Sequence, residues 1–402
     1  MKRPRRDDSV NILFIVNNLK RRGAEQQLFS FIKELPPRIH VSVFRFSADQ
    51  NEFPELFNCS KIKIFSNKYR GAYNFLRFLP LYNCLSKGRY NIVITVGLGS
   101  ALLLGRLCAF LCRIKIIYSI LNTYQNFNRI PLIFDDYFDF PNLLLNRLGP
   151  KLFRKSILRF LPNSKKLSAK IRSKTTQYAV DTLYNGISNN DFITLSVNKN
   201  EKKIHYIFEK ISHYPTIVQV GAVDKNKNQI FTLKCIKDLK RVIPDIRFLI
   251  IGEGSEKSEL EKYAISNNLK ENVIFAGQME RNQCFYLMNK SDLIVLTSKS
   301  ESFPNVLVEG HALSLPVVAF DVGAVAEIVE NGISGYIVQK NDHINFKKMI
   351  NLLLENPSIA RRMGEMGKKK VYERFSMKNK IDKFLFMVET DLKHIKTSLS
   401  HQ

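Results

Sequence analysis

The chain has 402 residues, 45% of them hydrophobic, which is enough apolar side chain for two or three buried cores and excludes a disordered polyelectrolyte. Its 62 lysines and arginines against 36 acidic residues give a net charge of +26. The excess sits in the first 200 residues, with no acid between Glu55 and Asp135, and such a field draws polyanions: nucleic acid, anionic lipid or acidic glycan.

From the N-terminus, MKRPRRDDSV is basic, but Asp7 and Asp8 precede an apolar stretch (ILFIV) only a strand long. An export signal is therefore not expected, and a cytoplasmic location is. Asn11–Val16 reads as a strand, Ala24–Leu35 as a helix ended by Pro36-Pro37, and His40–Phe46 as an alternating strand.

Residues 68–90 interleave Lys68, Arg70, Arg77, Lys87 and Arg89 with Tyr69, Tyr73, Phe75, Phe78, Tyr82 and Tyr90. That mixture suits an anionic membrane surface, or equally a helix packed on a sheet with a solvated basic face. Pro80 is expected to kink or split any helix there. The longest apolar run, Asn91–Phe110, is broken by glycines and Arg106, so it falls short of the roughly 18 uninterrupted apolar residues of a spanning helix. It reads instead as a strand, Asn91–Thr95, and a helix, Ser100–Cys112, with a further strand at Lys115–Tyr118. Ser164 is placed to cap a helix running to Ser173. None of the six cysteines forms a Cys-x-x-Cys pair, and Cys108 and Cys112 lack a second ligand pair, which predicts reduced thiols and no zinc site.

After a polar stretch, Ser188–Lys203, the alternation restarts. Strands are predicted at Thr216–Val220, Ile246–Ile250, Val273–Phe275, Leu293–Leu296 and Val317–Phe320. Helices are predicted at Asn228–Arg241, Ser255–Asn267, Asn282–Lys290, Pro304–Leu313 and Ala324–Glu330, and the tail from His343 is mostly helical. Strand–helix alternation of this kind implies parallel strands joined by right-handed crossovers. The expected domains are residues 1–190, residues 191–375, and a C-terminal helix, 376–402, that packs back on the first domain.

The densest chemical signal is Ser300–Ile328, SESFPNVLVEGHALSLPVVAFDVGAVAEI. An apolar strand runs into a turn carrying Glu301. Pro304 stands near the first helical position, so the N–H groups of Asn305 and Val306 lie in the first turn, and Glu309 follows one turn on. A helix start suits a pyrophosphate, and a carboxylate can accept from both hydroxyls of a ribose. The plain alternative is two solvated surface glutamates.

These residues resemble the signature of the retaining glycosyltransferases of family 4: a Glu, seven residues, a second Glu, then Pro-Val-Val and a Gly-x-x-x-Glu segment matched by Gly323 and Glu327. The resemblance implies the GT-B fold, two Rossmann-like doubly wound α/β domains facing across a cleft. It assigns the donor sugar to Glu301 and the nucleotide ribose to Glu309, with Phe303, Pro304, Asn305 and Val306 lining the donor site. In VGAVDKNKNQ, Gly221 and Lys227 match the family's Gly-Arg-x-x-x-x-Lys-Asn turn, where the lysine neutralises the donor pyrophosphate. Ala222 replaces the family's arginine, and Lys225 is a possible substitute.

Gly252 and Gly254 in LIIGEG fit a tight turn after a strand, and Gly277 stands where the family's backbone passes the base. In the first half, Arg21–Glu25 resembles a Gly-Gly-Ala-Glu loop in which Gly23 approaches the donor phosphate and Arg22 replaces a glycine. Asn185-Gly186-Ile187 matches a turn before the linker, with Ser188 where an Asp is usual. Where relatives carry a histidine, the sequence reads SILNTYQ, leaving Asn122 as the polar candidate.

The resemblance thus implies transfer from a nucleotide-diphosphate sugar (a UDP- or GDP-sugar) to a glycan or lipid-linked acceptor of a bacterial surface polysaccharide. The place implied is the inner face of the cytoplasmic membrane. No Asp-x-Asp motif occurs, so no metal is expected to be required. The competing readings are a non-catalytic GT-B-like protein that binds glycan or lipid, another GT-B-fold enzyme such as a nucleotide-sugar epimerase that needs no acceptor, and a nucleic-acid-binding protein supported by charge alone.

Overall fold

Strands buried on both faces form parallel sheets, and this chain builds two of them. The computed structural model describes residues 9–19, 23–47, 62–67, 78–97, 100–122, 156–173, 178–188 and 202–400. They divide into two units, one of Met1–Asn185 with Lys380–Gln402, the other of Gly186–Asn379.

The first unit holds β1 (Val10–Val16), β2 (Ile39–Arg45), β3 (Ile62–Ser66), β4 (Ile92–Val96), β5 (Ile116–Leu121), β6 (Ile157–Pro162) and β7 (Ala179–Val180). Its helices are α1 (Gly23–Glu34), α2 (Phe78–Lys87), α3 (Ser100–Leu111) and α4 (Lys165–Arg172). The strand order is β3-β2-β1-β4-β5-β6-β7, every pairing parallel. Ile12, Leu13, Phe14 and Ile15 of β1 are fully buried, which is why this continuous apolar run takes the centre of the sheet.

Ser164 caps α4 as expected, accepting from the Leu167 N–H at 3.2 Å. Pro80 does not kink α2. It is the third residue, within the first turn, where its missing N–H breaks no helical bond. Phe78 stacks on Tyr82 at 5.7 Å, and both pack with Tyr90 against the core, so these aromatics face inward. Residues 68–77 of that basic, aromatic stretch lie outside the described residues.

The second unit contains α5 (Lys202–Ile211), β8 (Thr216–Val220), α6 (Gln229–Leu239), β9 (Arg247–Ile251), α7 (Lys257–Ser266), β10 (Val273–Gly277), α8 (Arg281–Met288) and β11 (Leu293–Leu296). It continues through α9 (Asn305–Ala312), β12 (Val317–Phe320), α10 (Val325–Ile328), β13 (Gly335–Val338), α11 (His343–Glu355) and α12 (Pro357–Arg374). The order β10-β9-β8-β11-β12-β13 is again wholly parallel. The ends of this unit are tied together: the Ile187 N–H donates to Phe375 O and the Met377 N–H to Ile187 O, each at 2.8 Å.

The last helix, α13 (Met377–Ser400), enters the first unit at Lys380. There Phe384 meets Phe31 edge-on at 5.1 Å and Tyr118 at 6.2 Å. The buried Asp391 accepts from the Tyr118 hydroxyl at 2.7 Å and from Arg159 Nη2 at 2.7 Å, and Arg159 also pairs with Asp181. Removing the carboxylate would strand the buried Tyr118 hydroxyl and take from the largely buried Arg159 guanidinium its contact with this helix. Asp391→Ala is therefore expected to cost about 3 kcal/mol, read as a lowered urea midpoint of the full chain, with Asp391→Asn costing less because it still accepts hydrogen bonds. An unchanged midpoint for Asp391→Ala would show that the helix does not depend on this buried carboxylate.

Candidate functional site

In the second unit the strand order reverses between β8 and β11, so the loops leaving their carboxyl ends diverge around a crevice, where open α/β sheets take their ligands. The loop after β8 carries Lys227 and the loop after β11 carries Glu301. Lys227 Nζ lies 2.6 Å from Glu301 Oε1, with both side chains largely buried.

The backbone beneath this pair is tightly specified. Asp224 Oδ1 accepts from the N–H groups of Asn226 and Lys227 at 2.9 and 2.8 Å, closing an Asx turn. Asn226 Nδ2 donates to Ser300 O at 3.1 Å, and the Lys299 N–H donates back to Asn226 O at 2.7 Å. Below them Gln219, Thr232 and Thr297 form a buried polar network. Gln219 Nε2 donates to Lys227 O and to the Thr297 hydroxyl, and its Oε1 accepts from Thr232. Fully satisfied buried networks of this kind fix one arrangement of the chain, here the two loops that bring Lys227 to Glu301.

Glycines let the remaining strand ends close in. Gly252, after β9, has φ +145°, and a Cβ there would stand 1.9 Å from Gly221 O. Gly323, after β12, has φ +55°, and its Cβ would stand 1.9 Å from Glu301 O, so the β12 loop packs directly on the backbone of that glutamate. Gly254 and Gly277 complete the turns after β9 and β10. The side chain of Lys227 runs across Gly221, its Cε 3.2 Å from the place a Cβ would take.

Helix α9 opens toward the same strand ends. Pro304 is its cap, with extended ψ +93°, rather than a residue of its first turn. A proline cap brings no side-chain acceptor to the first N–H groups. Along α9 Asn305, Val306 and Glu309 are partly exposed, while Leu307, Val308, Gly310, His311 and Ala312 are buried, so the first three share one face. Burial holds His311 neutral, its imidazole pushed down to about 4, with Nδ1 3.1 Å from Leu315 O. Phe303 is committed to the interior, its ring edge-on to Phe375 at 5.5 Å, so it contributes backbone rather than a ring surface.

Glu309 has a cation of its own, Arg281 Nη2, 3.4 Å from Oε1. Sequence reasoning passed over Arg281. Its signal was position: it opens α8 four residues after Gly277, on the side where strand ends meet ligands. Lys225, considered above as a substitute for the missing arginine, is exposed, as is Ala222.

The site residues proposed from sequence therefore divide between the units. Glu301, Glu309, Lys227, Gly221, Gly252, Gly254, Gly277 and Phe303–Val306 lie at the carboxyl edge of the second sheet. Asn122, directly after β5, and Gly23, the first residue of α1, belong to the first unit, and Arg21 and Arg22 lie outside the described residues.

Residues 200–370 match the family model described as glycosyl transferases group 1, in agreement with the family identified from the 300–328 signature. Over 149 residues the chain is 34% identical to the uncharacterized glycosyltransferase MJ1178 of Methanocaldococcus jannaschii, covering 37% of this chain and 41% of that protein. It is 28% identical over 193 residues to the capsular polysaccharide biosynthesis glycosyltransferase CapM of Staphylococcus aureus, covering 48% of this chain and 49% of the relative. The matched stretch thus spans less than half the length of these curated relatives. The crystal structure of Anabaena Alr3699/HepE in complex with UDP superposes with a TM-score of 0.74 at 18% identity, covering 95% of this chain and 100% of that one. The fold is GT-B, built from two Rossmann-like units.

The close approach at Gly252 yields a direct test. Gly252→Ala is expected to destabilise the chain by about 2–4 kcal/mol, because its methyl group would meet a backbone carbonyl that cannot yield. Gly332→Ala, also at positive φ but with open space around it, should cost only about 1 kcal/mol. Equal midpoint shifts in the two variants would contradict this packing of the β8 and β9 ends.

Proposed function

We propose that this chain, whose second unit matches the group 1 glycosyl transferases, moves a sugar from a nucleotide-diphosphate donor onto a glycan or lipid-linked acceptor, with retention at the anomeric carbon. One observation carries the reading. Two carboxylates, Glu301 and Glu309, bracket the start of α9, and each is paired with a cation from the loop or helix of another strand, Lys227 and Arg281. Such a set has complementary partners for every part of a nucleotide sugar. The first turn of α9 and Lys227 meet the diphosphate, Glu309 accepts from the ribose hydroxyls, and Glu301 accepts from hydroxyls of the transferred sugar.

The chemistry follows from where charge develops. As the glycosidic bond to the diphosphate breaks, negative charge grows on the leaving oxygen, and Lys227 stabilises it more in the transition state than in the ground state. Retention then takes the acceptor on the face the diphosphate leaves, with the departing phosphate oxygen accepting the acceptor's proton. Lys227 and the helix start do the work that a divalent cation would otherwise do, so transfer is expected to persist in EDTA. Asn122 is assigned to the acceptor side, at the carboxyl end of β5.

The comparisons support a nucleotide-sugar donor, since Anabaena HepE has been crystallised with UDP and with UDP-glucose. They also favour a place in bacterial surface polysaccharide synthesis, given CapM and the UDP-Gal:alpha-D-GlcNAc-diphosphoundecaprenol alpha-1,3-galactosyltransferase of Escherichia coli, which is 24% identical over 209 residues. A lipid-linked acceptor would bring the enzyme to the inner face of the cytoplasmic membrane. The basic excess of the first 200 residues suits an anionic surface there. Among the described residues no helix is long and apolar enough to cross a membrane.

Calorimetry with UDP, GDP, ADP and dTDP tests the pocket. One nucleotide should bind clearly, and Lys227→Ala and Glu309→Ala should each weaken it about 10- to 100-fold while leaving the fold intact, the loss expected for a charge-assisted hydrogen bond. Binding of none of the four, or equal binding by wild type and both variants, would sink the donor-site assignment.

A further inference from the structure

Arg281 is the first residue of α8, a place where a cation works against its own helix. The first turn carries the positive end of the helix dipole, and acidic side chains are the favoured occupants. Glu280 and Gln283 form a capping box, each side chain accepting from the other's backbone N–H. An arginine at this position is favoured by an acidic partner outside the helix, and Glu309 Oε1, 3.4 Å from Nη2, supplies one.

Several features fix the guanidinium there. It lies over the Phe285 ring, 4.9 Å from the centroid, one helical turn further along α8. The Arg281 and Glu309 side chains are only about one-fifth exposed, so the attraction is little screened by water. The Cys284 thiol on the same helix is pushed up, first by burial and then by the charge of Glu309. At 3.4 Å the pair is an ion contact rather than a short hydrogen bond. A carboxylate has about four lone-pair sites, and the contact with Arg281 is made to one of its two oxygens.

We propose that Arg281 is a positioning residue that holds Glu309 in the orientation that accepts both hydroxyls of the donor ribose, and that it thereby sets the preference for ribonucleotides over deoxyribonucleotides. The proposal rests on the assignment of Glu309 to the ribose. Arg281 acts through the carboxylate, not on the diphosphate. Without it, Glu309 would lose the cation that orients it from α8, while Lys227 and the start of α9 would be untouched. Lysine at this position would restore the charge but not the planar stacking on Phe285, so it should restore part of the preference.

The test is calorimetry of the full chain with UDP against 2′-deoxy-UDP and GDP against 2′-deoxy-GDP, for wild type, Arg281→Ala, Arg281→Lys and Glu309→Ala. Wild type should prefer the ribonucleotide about tenfold or more, the value of a hydrogen bond to a charged group. Arg281→Ala should lose most of that preference, weakening ribonucleotide binding while changing deoxyribonucleotide binding less than about threefold, and Arg281→Lys should fall between. Adding Arg281→Ala to Glu309→Ala should cost nothing further, because the arginine acts only through the glutamate. Arg281→Ala that keeps the tenfold preference, or that weakens both nucleotides equally, overturns the proposal and leaves the ribose assignment standing. A wild type that binds both sugars equally, or neither, overturns the ribose assignment and this proposal with it. Should Arg281→Ala fail to fold, a preference in Arg281→Lys equal to that of wild type overturns the positioning role.

Discussion

The ion pair between Lys227 and Glu301 is the interaction on which the rest of the site depends. It joins the ends of the two strands where the order of the second sheet reverses, and the surrounding loops are built to bring those two groups together. The Asx turn at Asp224 sets the lysine, the Asn226–Ser300 and Lys299–Asn226 bonds tie the loops, and the buried Gln219–Thr232–Thr297 network anchors both from below. From the far side the β12 loop at Gly323 packs on the glutamate's backbone. A polar network of this density has few alternative arrangements, because any slip would leave buried groups without partners.

Under the proposed donor assignment, the pairing would also set the selectivity of the site. Each of the two carboxylates is paired with a cation. A ligand that displaces Glu301 from Lys227 has to offer an anion in its place and hydroxyls for the glutamate released. A nucleotide sugar offers both, diphosphate and hexose hydroxyls side by side, whereas a bare anion or a bare sugar offers one. Such an exchange would couple recognition of the two halves of the donor, with the helix start adding N–H groups whose dipole favours the same anion.

Much of this was legible in the sequence because it obeys local rules. The apolar runs of the central strands, Asn11–Val16, Thr216–Val220, Leu293–Leu296 and Val317–Phe320, can only be buried on both faces, and they recur within a residue of their predicted bounds. The Glu301–Glu309 spacing and the glycines around it were readable because each depends on its own segment. The edge strands β3, β7 and β13, and β6 beside them, escaped, being short or mixed in polarity. Helix α5 escaped because it begins inside a stretch whose lysines read as a linker. Pro80 was misjudged because proline breaks a helix only after its first turn, and the sequence did not reveal where the turn began. Arg281 was missed for a different reason: its partner lies 28 residues away on another helix, and only the fold brings them within 3.4 Å.

The most direct measurement is a crystal structure of the full chain with UDP bound, or GDP if calorimetry favours it. The account predicts that Lys227 Nζ will have left Glu301 to hydrogen-bond a phosphate oxygen, with the diphosphate over the first turn of α9 and the ribose hydroxyls donating to Glu309. A nucleotide bound with Lys227 still paired to Glu301, or with its ribose away from Glu309, would contradict it.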